Sequence, residues 1–80
     1  MFYVYILKSI KDKKRYIGIT EDLCRRVFEH NHGLVKSTRH RRPLKVVYQE
    51  EYTNKSVARK REQFFKSGKG REYLETKLKV

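Results

Sequence analysis

The sequence predicts an α+β domain: a small three-stranded antiparallel sheet flanked by helices, in the order β-β-α-β-α-α. Three observations predict it. Two short runs rich in β-branched and aromatic residues stand close together with a charged turn between them. A segment with helix-start and helix-stop residues follows them. A third alternating run then precedes two further stretches with helical spacing. No repeat, linker or low-complexity segment divides the chain, so residues 1–80 read as a single domain.

Phe2 to Leu7 and Arg15 to Thr20 form a hairpin joined by the charged stretch from Lys8 to Lys14. Alternation places Val4 and Ile6 with Ile17 and Ile19 on one face. Tyr3, Tyr5 and Leu7 lie opposite Tyr16, Gly18 and Thr20 on the other, where Gly18 leaves space over the sheet beside a tyrosine pair. Thr20 is positioned to cap the first helix, with Glu21 and Asp22 in its first turn, where negative charge suits the helix dipole. That helix runs through Leu23, Cys24, Val27 and Phe28 and ends at Asn31-His32-Gly33, the glycine supplying a left-handed stop. Arg26 and His30, four apart, share a face. Leu34 to Arg42 has no apolar period but carries Lys36, Arg39, His40, Arg41 and Arg42, a basic loop closed by Pro43. Leu44 to Tyr52 is the third strand, with Leu44, Val46 and Tyr48 alternating on one face. Asn54 or Thr53 caps a helix from Lys55 to Lys66, stopped by Ser67-Gly68, and Gly70 to Leu78 forms a short last helix.

Composition narrows the function. Lys and Arg number 21 against 9 Asp and Glu, a formal net charge of +12. Such self-repulsion is relieved by a polyanion, and a pI near 10.1 is the electrostatic footprint of a nucleic-acid binder. No run approaches the ~20 apolar residues of a membrane span. Met1 to Leu7 starts apolar with no basic region ahead of it, which reads as a strand rather than a signal peptide. The lone Cys24 can form neither an internal disulfide nor a cysteine-based zinc site, which fits a reducing, cytoplasmic setting.

Among residues able to do chemistry, Glu62 is the most informative acid. Ala58, Glu62 and Phe65 lie at i, i+4 and i+7, which sets a carboxylate in or beside the apolar stripe of its helix. There it needs a cation, hydrogen bonds or a metal. The same spacing fits an exposed glutamate paired with Arg59 or Lys66, and spacing alone does not choose. Tyr5 across from Tyr16 is ordinary sheet packing as well as a candidate site, and Arg26 with His30 fits a solvated helix face. His30, His32 and His40 do not have zinc-helix spacing. Gly68 and Gly70 follow a helix, so they read as a helix break rather than a phosphate loop. Cys24, within a helix, reads as core.

Taken in order, however, these residues make a pattern: Val4-Tyr5-Ile6 on a first strand, Tyr16-Ile17-Gly18 on a second, then Arg26, His30 and, on a later helix, Glu62. The succession resembles the GIY-YIG nuclease family from about Phe2 to Leu74, and most closely its small standalone bacterial members. In these, Tyr-Ile-Gly-Ile-Thr, Arg-Arg-x-x-Glu-His-Asn and Ala-Arg-x-Arg-Glu recur as they do here. The first motif lacks its glycine, and Ile19 stands where repair nucleases carry a lysine, leaving the phosphate site one cation fewer.

The resemblance implies a metal-dependent endonuclease that hydrolyses phosphodiester bonds in DNA, with structure selectivity and a link to repair or recombination. It implies Tyr16 as general base, Tyr5 as its hydrogen-bonding companion, Arg26 on the scissile phosphate, His30 as proton relay and Glu62 as ligand of one divalent ion. One carboxylate with waters suits Mg2+, or Mn2+. Lys36, Arg39, His40, Arg41 and Arg42 would bind the nucleic-acid backbone, DNA before RNA, and Gly18 is structural. The alternative is a nucleic-acid-binding module of the same fold that does not cut, and a third reading is an RNA-associated accessory protein.

Overall fold

A computed structural model describes residues 1–78, so the last two residues of the expected 1–80 domain lie outside the described part. The elements are β1 (Phe2–Ser9), β2 (Arg15–Thr20), α1 (Leu23–Asn31), β3 (Leu44–Tyr52), α2 (Lys55–Lys66) and α3 (Gly68–Lys77). A single 3-10 turn, Arg39–Arg41, interrupts what the sequence predicts as plain loop. The α+β architecture is as expected: one sheet of order β2-β1-β3, antiparallel throughout.

β1 is the central strand, and its composition explains why. Val4, Tyr5, Ile6 and Leu7 are all buried, because helices cover both faces of the sheet. On one face Val4 and Ile6 join Ala58, Phe65 and Leu74 from α2 and α3, with Ile17 and Ile19 packed beside them. On the other, Tyr5 and Leu7 join Leu44, with Tyr16 and the α1 residues Leu23 and Val27 against them. The hairpin register pairs Tyr5 with Gly18, Ile6 with Ile17 and Leu7 with Tyr16, the two faces that alternation predicts.

β3 departs from simple alternation. Ile6 pairs with Tyr48 but Leu7 pairs with Val46, so Val47 is an extra residue in a bulge. A bulge reverses the facing of everything beyond it. Leu44 therefore belongs to the α1-side core and Tyr48 to the α2-side core. The expectation that Leu44, Val46 and Tyr48 share one face is corrected.

Two details of α1 are corrected as well. Its cap is Asp22, whose carboxylate accepts from the Arg25 N–H at 3.1 Å. Thr20 stands two residues earlier, its hydroxyl accepting from the Asp22 N–H at 3.2 Å, so neither Glu21 nor Asp22 lies within the first turn. Cys24 is exposed rather than core, and so is Phe28. These two residues, four apart, share the solvent face, and His30 takes the buried position instead. The helix ends as expected, with Gly33 at φ +75° just beyond it.

Helices α2 and α3 meet at Ser67, which ends the first and caps the second through its hydroxyl on the Gly70 N–H at 3.2 Å. A β-carbon on Gly70 would fall 1.8 Å from the Phe64 carbonyl oxygen, so only glycine permits this close turn. The last helix thus starts at Gly68, two residues ahead of the expected start. Among the described residues no helix is long and apolar enough to cross a membrane.

Candidate active site

Of the sequence-predicted residues, Tyr5, Tyr16, Gly18, Arg26, His30 and Glu62 converge at the β2 edge of the sheet. Tyr5 leans from β1 across its partner Gly18, where a β-carbon would sit 2.5 Å from the Tyr5 hydroxyl oxygen. Gly18 is therefore the opening through which the buried ring lies flat over β2. Tyr16, one rung along, meets Tyr5 at 6.4 Å between ring centroids.

His30 stands between them from α1. Its Nε2 is 3.0 Å from the Tyr5 hydroxyl and its ring is edge-on to Tyr16 at 4.9 Å. Its Nδ1 is 2.7 Å from the Thr38 hydroxyl. His30 and Thr38 are both fully buried. A neutral imidazole has one donor and one acceptor nitrogen, so Tyr5, His30 and Thr38 form a hydrogen-bonded chain. Burial, reinforced by the Arg26 charge, pushes His30 down from 6.5 to about 4. The ring is neutral at physiological pH, able to accept a proton. Burial likewise pushes the Tyr5 phenol up to about 12, against the opposing influence of Arg26. Tyr5 thus keeps its proton.

Arg26 lies one turn before His30. Its guanidinium bonds Glu29 at 3.0 Å and is close enough to Tyr5 to act on the phenol. Hydrogen bonding to Glu29 raises its own pKa further, so it is a permanent cation. Glu29 occupies one of the five N–H donors that a guanidinium carries.

Glu62 reaches the same region from α2, and its negative charge is felt at Tyr5. Its side chain is only 16% exposed. Oε2 accepts from Lys66 Nζ at 3.3 Å, the local ion pair that the spacing allowed. Oε1 accepts no hydrogen bond among the described residues, and no buried side-chain oxygen there lacks a partner, so Oε1 is the open one. The donor set is a single hard carboxylate, since no group of three His, Cys, Asp or Glu residues gathers among the described residues. That suits a mostly hydrated hard cation such as Mg2+ and not an all-protein cage.

The basic loop splits. Lys36, Arg39, His40 and Arg42 are exposed. Arg41 turns inward, paired with Asp12 at 3.0 Å and donating to the Arg15 carbonyl oxygen at 3.3 Å, so it ties the loop to the hairpin. None of the five joins the tyrosine cluster. Among the described residues the loop's hydrogen bond to the site is that of Thr38, which anchors His30. Thr38 is a residue that sequence reasoning missed, and no local pattern marks it. Asn31 is another: its side-chain amide bonds both the N–H and the carbonyl of Leu44, fixing the end of α1 to the start of β3.

A family model described as the GIY-YIG catalytic domain matches residues 1–77. The UPF0213 protein SERP0126 of Staphylococcus epidermidis is 49% identical over 61 residues, covering 75% of this chain and 73% of that one. The UPF0213 protein CPE1444 of Clostridium perfringens is 48% identical over 67 residues, 82% and 71% of the two chains. The solution NMR structure of the UPF0213 protein BH0048 from Bacillus halodurans is similar over 99% of this chain and 86% of that one, with a TM-score of 0.58 and 37% identity.

Proposed function

Because the chain belongs to the GIY-YIG catalytic-domain family, we propose that it is an endonuclease hydrolysing phosphodiester bonds, with DNA as substrate and Mg2+ as cofactor, and that residues 1–80 act as one domain in the cytoplasm. The observation that carries this reading is the unequal environment of the two tyrosines. Tyr5 is sealed, its proton retained and its hydroxyl committed to His30. Tyr16 is only half buried and borders open space at the β2 edge. A general base must reach its water, so the base is Tyr16.

His30 holds the Tyr5 hydroxyl from one side and packs against Tyr16 on the other. Its neutral ring keeps the pair in place, and the proton relay that the family resemblance gives His30 would run through Tyr5, the phenol that its Nε2 bonds. Arg26 has donors left after Glu29, and its planar fork fits two oxygens of a phosphate. Glu62 would hold the divalent ion through Oε1, with Lys66 giving way at Oε2. A bound ion there supplies stabilisation of charge on the leaving oxygen. The exposed cations of the 34–42 loop grip the backbone. Selection by nucleic-acid structure, in repair or recombination, completes the proposal.

The test is cleavage of labelled branched, nicked, single-stranded and duplex DNA, and of matching RNA, with and without magnesium. The wild type should release product only with magnesium, and Glu62→Ala should release none while still binding. Tight binding without product, the same in both proteins, would instead make the chain a binding module.

A further inference from the structure

Between the free edge of β2 and helices α2 and α3 runs a groove of about 660 Å³ that the 34–42 loop does not line. One wall, from the hairpin, carries Lys8, Lys13, Lys14 and Arg15. The facing wall carries Lys66 and Arg71, and Ile17 and Leu74 contribute apolar surface. Tyr16 lines the same groove, and its sole carboxylate among the lining residues is Glu75, paired with Arg15 at 3.1 Å. Cations on both walls of a concave groove add their fields within it. Because they are spread along the groove, they suit a row of phosphates better than a single anion. The apolar surface suits sugars and base faces. The volume is within the range of small-ligand clefts, roughly 300–1,000 Å³, room for a few nucleotides of one strand.

We propose that this groove binds the sugar-phosphate backbone of a single nucleic-acid strand and leads it to Tyr16, as a track separate from the 34–42 loop. Lys66 stands at the junction, lining the groove while paired with Glu62. Lys11 and Arg41 attach the loop to the hairpin, through the His40 carbonyl and Asp12 respectively. The direction of the track toward Tyr16 rests on the nuclease reading, but strand binding in the groove does not.

The experiment measures anisotropy of a short fluorescent single-stranded DNA with EDTA present, so that binding is read without cleavage. Lys14→Glu/Arg71→Glu is compared with Lys55→Glu/Arg59→Glu, a pair on α2 outside the groove that changes net charge equally. The groove variant should bind about tenfold more weakly than the control, with a salt slope reduced by roughly 0.7 per lost phosphate contact. Equal weakening in both variants would reduce the effect to net charge and overturn the proposal.

Glu75→Gln, which frees Arg15 on the surface and leaves the fold intact, should bind more tightly; unchanged or weaker binding contradicts the track. A nucleoside monophosphate that competes as well as the unlabelled strand at equal phosphate concentration would overturn the assignment to a strand. Wild-type cleavage with magnesium is followed in parallel. No product with the groove effect intact removes the nuclease reading and keeps the groove, and product without the groove effect does the reverse.

Discussion

His30 is fully buried, yet both of its ring nitrogens have hydroxyl partners, Tyr5 and Thr38. The charged groups facing it are Arg26 and Glu29 of its own helix, with the tyrosines of β1 and β2 on its other side. A group held neutral in the fold at about 4, against 6.5 ordinarily, binds fewer protons folded than unfolded across that window. Stability therefore rises with pH there: the contribution is complete above the ordinary value and is lost as pH falls toward the folded one. The loss should be roughly 3 kcal/mol between the two values. Urea denaturation at pH 7 and pH 4 should show it in the wild type, and His30→Gln should flatten that part of the pH dependence. An unchanged slope in the variant would contradict the assignment. The tyrosine pair and Gly18 were legible because cross-strand neighbours follow from alternation. Thr38 was not legible, because a hydroxyl in a loop meets an imidazole on a helix only after the chain has folded.

At the scale of elements, α2 is held to the sheet by more than its apolar stripe. Arg61 makes a two-pronged contact with Glu50 of β3, Nε to Oε1 at 2.8 Å and Nη2 to Oε2 at 3.1 Å. Tyr48 and Tyr52 donate to the same carboxylate at 2.5 and 2.6 Å, and the guanidinium lies over Phe64, Phe65 and Tyr73. Burial pushes the Glu50 carboxyl up, but the hydrogen bonds from Arg61 and the tyrosines outweigh it and hold it below its ordinary value. Since α2 also carries Glu62, this clasp positions the carboxylate of the site. Glu50→Ala should cost roughly 3 kcal/mol, because it leaves Arg61 largely enclosed without its partner. The midpoint of urea unfolding measures the loss, and a cost under about 1 kcal/mol would reduce the clasp to a surface ion pair.

The strands and helices themselves were legible from caps, stops and periodicity. The bulge was not, because Val46 and Val47 are both apolar and either fits the alternation. Nor was the clasp, because Tyr48-x-Glu50-x-Tyr52 reads as a half-polar strand face until Arg61 covers it.

At the scale of the whole molecule, three layers meet at one sheet edge. α1 brings Arg26 and His30 to one side of β2, α2 brings Glu62 from the other, and the tyrosines lie between them. This convergence was legible only through the order of residues that resembles a family, because no local spacing predicts that two helices on opposite faces deliver to the same edge. The net charge of +12 pointed to a polyanion without locating it. The fold gathers part of that charge at two places, the 34–42 loop and the groove beside Tyr16.

The central claim is that Tyr16 activates the water that attacks a phosphate held at this edge, and one measurement bears on it directly. Single-turnover cleavage of bound DNA, with magnesium, is compared between wild type and Tyr16→Phe, which removes one hydroxyl and keeps the ring against His30. The account predicts a rate lower by about 10²–10⁴-fold with DNA affinity unchanged. A variant that cuts at the wild-type rate would contradict it.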